Sequence, residues 1–503
     1  MRDELIQLVK HTAVYGFGRI FSKVISFLLI PFYTHYFTAA EYGIMEVLNL
    51  TVMILAIVLA PGLANAVMRF HYDTNDEHER SLSVSTALIF TIISGGLVIL
   101  LAFAFPQKIS YLLLNSAQHG TVIKLLAIGF YCSFFSDICY VYLRGRKRSG
   151  VYVALTQVYL VLSILTNIYF VAIRHSGVAG VFAGNIVAGT VVGAILLWMT
   201  IGEVGIHFSP HRLVELLKFG APLILTWLAA FVLNFSDRFF LQRYSDLSQV
   251  GIYAVGYKFG YITSMLLIQP FHLMWEPQSY EIAAKPNGKA IFGRIFSFYM
   301  LGLLCATFFL SLFIRETFEV MVDRKFLIAY HLVPIIAVAY LGQGVQGFFE
   351  AGLLIQKKSK TVGTIGLVAA LTCVGLNFLL IWHWKMMGAC VATLLSLFLM
   401  GACTAYFCQR HYPIPVKYAA LVRVAVVGLT LLLMVWFLPV ESFFLRLLIK
   451  VVVAVLFVYF ITVSGALEAD EVKTIKELAV EKLKSKLSFL SWRPGALANK
   501  RVG

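Results

Sequence analysis

Fourteen apolar stretches of about twenty residues follow one another along this chain, and the connectors between them are too short to fold alone. They lie near 12–36, 43–66, 82–105, 121–143, 150–173, 179–202, 214–236, 249–270, 291–314, 328–350, 361–383, 388–408, 417–438 and 443–465. Twenty helical residues extend about 30 Å, the thickness of a bilayer's hydrocarbon core. Lipid offers no partner to a free backbone group, so stretches of this length must be helices. Only 13% of the residues are charged, about half the share in a soluble domain. The expected fold is therefore an all-α polytopic membrane protein with about 14 transmembrane helices. The first stretch is too long for a cleavable signal peptide, and no small-x-small cleavage site follows its apolar core.

The formal charge of +16 would suggest a nucleic-acid partner in a soluble protein. Here the basic residues gather in alternate loops, as the positive-inside rule requires, and no nucleic acid is expected. Arg144-Gly-Arg146-Lys147-Arg148, Lys357-Lys358-Ser-Lys360 and the segment around Arg410 and Lys417 mark the cytoplasmic side. Thr38–Glu41 and Pro439–Glu441 on the other side lack cations, whereas Arg238, Arg243 and Arg315–Lys325 depart from the rule. Both termini are then expected in the cytoplasm. The tail, 467–503, carries Val472, Ile475, Ala479, Leu483 and Leu487 at helical spacing and reads as a cytoplasmic amphipathic helix. The seven cysteines all fall in apolar spans without a Cys-x-x-Cys or Cys/His pattern, so no metal site or disulfide framework is expected.

The chain is also duplicated. An offset of 208 aligns Tyr36 with Tyr244, Gly43-Ile44 with Gly251-Ile252, Tyr72-Asp73 with Tyr280-Glu281, His175 with His383, and Gly180 with Gly388. A slip of three residues pairs Arg146-Lys147 with Lys357-Lys358. Six spans per copy give both copies the same orientation, related by an axis along the membrane normal. The expected organisation is an N-terminal six-helix lobe (1–208), a C-terminal six-helix lobe (209–411) around a shared central cavity, and two appended helices (412–466).

Charged residues inside the spans are the natural functional candidates. Each cation at membrane depth costs roughly 2.5–3.5 kcal/mol on insertion scales. Arg19 and Lys23 share one face of span 1, and Lys258 lies near the middle of span 8. These three suit an anionic ligand. Asp237-Arg238 closes span 7, where it would cap the helix, pair with a neighbour or contact cargo. Glu46, near the outer end of span 2, is either solvated or an ion-coupling group. Asp137 and Glu350, on spans 4 and 10, either pair with the basic loops that follow them or couple transport to H⁺ or Na⁺. Pro61-Gly62 and Pro270 occupy almost matching places in the repeats and mark candidate hinges; Pro31 and Pro222 also interrupt spans 1 and 7. Gly180-x-x-x-Gly184 and Gly189-x-x-x-Gly193 in span 6 read as packing positions within the chain.

Ser236-Asp237-Arg238-Phe-Phe-Leu241-Gln-Arg-Tyr244, Val250-Gly251-Ile252-Tyr253 and Tyr257-Lys258-Phe259 resemble the seventh and eighth spans of bacterial polysaccharide (oligosaccharide) flippases. So do Pro31-Phe-Tyr33 with Glu41-Tyr42-Gly43, Leu143–Lys147, and Trp275-Glu-Pro277. That family belongs to the multidrug/oligosaccharidyl-lipid/polysaccharide exporter superfamily, and the resemblance runs to about residue 465. It implies two six-helix bundles around a cationic cavity, with undecaprenyl-diphosphate-linked oligosaccharide as cargo and a bacterial inner membrane as location. It also makes Arg19, Lys23, Lys258, Asp237 and Arg238 candidate cargo contacts. Membrane lipids, a glycan polymerase and glycosyltransferases are the other expected partners; no cofactor is. The lipid II flippase branch shares this architecture but has a denser set of cavity arginines, and span 2 here holds Glu46 and no basic residue. The alternatives are a drug/cation antiporter of the same superfamily, which buried cations disfavour, and a membrane glycan polymerase or glycosyltransferase. The latter commonly needs a sizeable extracytoplasmic loop, and no connector here is long enough. Nor does the chain hold a nucleotide-binding loop for ATP-driven transport.

Overall fold

A computed structural model describes residues 25, 27–438, 440 and 442–465, and among them it is helical without a strand. Span 1 is described through α1 (Ile30–Tyr36), with Pro31 in its first turn, where a missing N–H is harmless. Span 2 is made of α2 (Ala39–Leu59) and α3 (Leu63–Asp73), and α4 (Glu77–Ala104) is span 3. A short helix, α5 (Pro106–Leu114), leads to α6 (Gly120–Phe134) and α7 (Ser136–Gly145), which form span 4. Span 5 is α8 (Ser149–Ile168), ending in a π turn, and span 6 is α9 (Gly177–Val204).

The second repeat opens with α10 (Pro210–Tyr244), then α11 (Leu247–Thr263) and α12 (Gln269–Ala283), joined by a π turn at Ser264–Ile268. It continues through α13 (Gly288–Met321), α14 (Val333–Ile355) and α15 (Ser359–His411). The 53 residues of α15 are two spans in one run, broken where Lys385 takes φ 48° and ψ −126°. Last come α16 (Tyr418–Trp436) and α17 (Phe443–Val463). Ten of the described helical runs are long and apolar enough to cross a bilayer, and the bent pair Arg324–His331 with α14 makes an eleventh. Two of the remaining expected spans differ for physical reasons. Spans 11 and 12 share α15, and α11 and α12 are each too short until the π turn joins them.

The duplication is written into the backbone. Thr38 and Asp246, 208 residues apart, both cap the second helix of their repeat, accepting from the Glu41 and Gln249 N–H groups. Gly177 and Lys385, again 208 apart, both take positive φ (55° and 48°) between the fifth and sixth helices. Lys147 and Lys357 do the same in the two basic loops, at 57° and 55°. Pro61 and Pro270 mark breaks of different depth. The first is a full break, with Gly62 at φ 61°, a conformation that an L side chain resists. The second is absorbed by the π turn, and the helix goes on. Pro222, expected to interrupt span 7, is carried inside α10, which continues to Tyr244.

Two compact units are distinguished by internal contacts: Met1–Glu276 with Ile314–Tyr412, and Pro277–Phe313 with Pro413–Gly503. In the second, Phe308 stacks on Phe457 at 3.8 Å between ring centroids. The first buries Leu63, Val84, Leu88, Ile138, Leu143 and Leu216 in one apolar cluster. Gly180 and Gly184 seat α9 against span 5, and Gly189 and Gly193 seat it against span 4. Ile93, Leu97 and Leu100 stand exposed along one face of α4, as lipid contact requires.

The repeats meet most closely where α2 crosses α11. A Cβ on Gly43 would lie 1.9 Å from the Leu247 carbonyl oxygen, and one on Gly251 would lie 2.0 Å from that of Ala39. The break in span 2 makes a second seam, where a Cβ on Gly220 would lie 1.9 Å from the Pro61 oxygen. Backbone on both sides leaves nothing to swing aside. Gly251→Ala is therefore expected to cost about 1–3 kcal/mol, read as a lower denaturation midpoint in lipid nanodiscs. Gly96→Ala is the control, because a Cβ there meets nothing within 4 Å among the described residues; equal midpoints for the two variants would refute the close seam.

Candidate functional site: a charge lattice between the repeats

The glycine seam brings the polar face of α2 against α11. Tyr42 and Glu46 are one turn apart and share that face. Lys258 of α11 reaches both, donating to the Tyr42 hydroxyl at 3.1 Å and lying 2.9 Å from Glu46 Oε2. Its ammonium also stands 4.9 Å from the centre of the Tyr42 ring. From α10, Arg238 approaches the other carboxylate oxygen, with Nε 4.0 Å from Glu46 Oε1. The guanidinium is held by Asp237 Oδ1 at 2.6 Å, by the Asn234 carbonyl at 2.7 Å, and by the Tyr257 ring, whose centre is 3.8 Å away.

Asp237 is satisfied in turn by donors from other helices. Its Oδ2 accepts from the Tyr253 hydroxyl and, at 3.5 Å, from Thr393. Tyr257 and Tyr340 share a hydroxyl hydrogen bond of 2.6 Å, and Asn377 donates to Ser236 at 3.1 Å. One lattice thus ties α2, α10, α11, α14 and α15. Its four charges, Glu46, Lys258, Arg238 and Asp237, sum to zero, which is what burial in a bilayer demands. Arg238, Asp237 and Glu46 are 1%, 3% and 7% exposed, whereas the Lys258 side chain is 36% exposed. Lys258 is the most open member of the lattice. Arg238 Nε, although buried, has no hydrogen-bond partner among the described residues, so the lattice keeps one donor in reserve.

These positions differ in part from the sequence expectation. Asp237 and Arg238 do not end or cap their helix, since α10 runs on to Tyr244; they pair with each other, and Arg238 with Glu46, as the other reading had it. Glu46 is not solvated at a rim. Lys258, expected near the middle of span 8 as a cation suited to an anionic ligand, carries its own counter-ion from the other repeat. Arg19 and Lys23 lie outside the described residues. Asp137 and Glu350 do not pair with the basic loops that follow them: Glu350 accepts from Gln346 at 2.6 Å, and Asp137 opens into a cavity.

The basic loop after span 4 finds other carboxylates. Arg146 pairs with Glu77 at 3.0 Å and Arg148 with Glu203 at 2.5 Å, while Arg212 bridges Glu79 and Glu215. His71, beyond the apolar part of span 2, packs on Gly145 beside this belt. Sequence reading also missed Tyr42, Tyr253, Tyr340 and Thr393, and the buried Arg446 and Lys450 of α17. The spacing of Tyr42 and Glu46, and of Tyr253 and Tyr257, was the available signal: each pair is one turn apart.

Removing one charge from a balanced lattice strands the others. Glu46→Gln is expected to lower stability by roughly 2–4 kcal/mol, because Lys258 and Arg238 lose their shared counter-ion. Lys258→Met should recover part of that loss when added to Glu46→Gln. Additive effects in the double-mutant cycle would show that the two side chains do not interact.

The profile of the polysaccharide biosynthesis protein family matches residues 8–281, more than half of the chain. A Haemophilus influenzae protein described as Lsg locus putative protein 1 is 20% identical over 286 residues, 55% of this chain and 67% of that protein. Among solved structures, the lipid II flippase MurJ in an inward closed conformation superposes with a TM-score of 0.72. The match covers 90% of this chain and 99% of MurJ at 14% identity. An inward-facing multidrug resistance MATE family transporter gives 0.61 at 13% identity, over 79% of this chain and 94% of that one. At these identities the structural likeness shows the fold alone. With the resemblance in spans 7 and 8 now joined by the family match and the fold, the chain belongs to the polysaccharide biosynthesis protein family and has the architecture of the multidrug/oligosaccharidyl-lipid/polysaccharide exporter superfamily.

Proposed function

We propose that this protein is a flippase that carries undecaprenyl-diphosphate-linked oligosaccharide repeat units across the bacterial cytoplasmic membrane by alternating access. The observation that carries this reading is the pairing of Lys258 with a carboxylate from the opposite repeat. A diphosphate is a stronger competitor for an ammonium than one carboxylate, because it brings more charge and more acceptor oxygens. Cargo that takes Lys258 releases Glu46, and Glu46 then faces Arg238, whose Nε has no other partner among the described residues. Binding thereby loosens one tie between α2 and α11 at the seam that holds the repeats together. The interaction is strong in a low-dielectric cavity yet reversible, since Glu46 stays at hand to displace the product.

Arg19 and Lys23 add two further cations for the diphosphate or acidic sugars, while the polyprenyl tail stays in lipid. Bending at Pro61 and Pro270 accompanies the exchange. The basic loops after spans 4 and 10 face the cytoplasm, as do both termini. Glycosyltransferases supply the cargo and a polymerase consumes it on the far side.

In proteoliposomes given a defined polyprenyl-diphosphate glycan, Lys258→Met is expected to slow translocation at least tenfold, and Lys258→Arg to retain most of it. Arg19→Ala and Lys23→Ala should each slow it less and together match Lys258→Met. Normal rates in all of these variants at equal protein content would sink the proposal. Gradient-driven expulsion of organic cations without glycan movement would instead favour a drug/cation antiporter.

A further inference from the structure

Asp137 stands apart from every other acidic group considered above. It lies in the first turn of α7, is exposed to a cavity of about 180 Å³, and makes no hydrogen bond or ion pair among the described residues. The cavity is walled by Ile57, Ala60, Thr91, Phe134 and Trp227, so its surroundings are almost wholly apolar. Arg144, two turns further along α7, is the charge that acts on it. Cys139 and Tyr140 are its titratable neighbours on the same helix. The other elements that line the cavity, α2, α3, α4, α6 and α10, present no charged side chain to it.

Where the apolar wall keeps water from it, an unpaired carboxylate relieves the cost of its charge in one of two ways. It binds a cation or it takes up a proton. The lining decides between them. A metal ion such as Na⁺ needs a shell of several oxygens. Beyond the carboxylate, the wall offers the Thr91 hydroxyl, which already donates to Leu88 at 2.8 Å, and the backbone at the break in span 2. A carboxylic acid needs only one acceptor, and the break supplies it: Pro61 has no N–H, so the Ile57 carbonyl lacks the donor that a continuous helix would give it. Asp137 and Ile57 line the same cavity.

The second repeat fills the corresponding space. His272, 208 residues after Ala64, fills it so closely that a Cβ on Gly347 would meet its ring at 1.5 Å. The cavity therefore belongs to the first repeat and to its deeper break. We infer that Asp137 and the cavity at the Pro61–Gly62 break form a proton-binding site, loaded when the carboxyl faces this apolar wall and emptied to water when the break opens. The bond formed is O–H on the Asp137 carboxylate; the proton comes from water and returns to it. Coupling of this proton to glycan movement rests on the flippase reading, whereas proton binding does not.

Infrared difference spectra of the full-length protein in nanodiscs, recorded across a pH step, test the site without transport. A protonated carboxyl band should be present in the wild type and lost in Asp137→Asn. Asp137→Glu should restore it with a shifted midpoint. Trp227 fluorescence should follow the same titration, and Trp227→Phe should remove that signal while keeping the infrared band. Replacing choline by Na⁺ at constant pH should change neither. A band that survives in Asp137→Asn, or one that Na⁺ abolishes, would overturn the proposal. In proteoliposomes, Asp137→Asn should lose the acceleration of glycan transport by a pH gradient while transport without a gradient persists. An intact titration with no glycan movement in the wild type would reject the flippase reading and leave the proton site standing.

Discussion

The cost of holding charge away from water governs how this molecule is assembled. Arg238, Asp237 and Glu46 are almost fully buried, and Lys258 is only part exposed. Each would be prohibitive alone at membrane depth. Together they are neutral, and hydroxyls from Tyr42, Tyr253 and Thr393 saturate much of what remains. The lattice forms only if α2 and α11 touch backbone to backbone, which Gly43 and Gly251 permit. Close packing between repeats and electrostatic neutrality are thus one constraint. A ligand able to replace Glu46 acts on both at once.

The same logic separates the two breaks in the second helices of the repeats. At Pro61 the helix stops, Gly62 turns through a left-handed conformation, and a cavity opens beside Asp137. Before Pro270 a π turn absorbs the irregularity and His272 fills the space. The repeats share one backbone plan but differ in what the break exposes. In this account the seam between the repeats answers to an anion, and the first break answers to a proton.

Much of the fold was legible in the sequence, because lipid imposes a rule that can be read locally. Twenty apolar residues must be a helix, and an offset of 208 must return the same helix. Lys258 was recognisable as anomalous because nothing near it in sequence explains it. Its partner was not, since Glu46 lies 212 positions away and meets it only through the glycine seam. Asp237 and Arg238 misled for a related reason. Hydropathy ends at charges, whereas α10 carries them through and runs on to Tyr244. Arg19 and Lys23 lie outside the described residues.

The most direct test is the affinity of the purified protein for undecaprenyl diphosphate in Glu46→Gln and Lys258→Met. If Glu46 competes with the anion for Lys258, removing the carboxylate should tighten binding and removing the ammonium should weaken it. Each change should be roughly tenfold, the equivalent of about 1.4 kcal/mol. Equal weakening in both variants, or no change in either, would contradict the account.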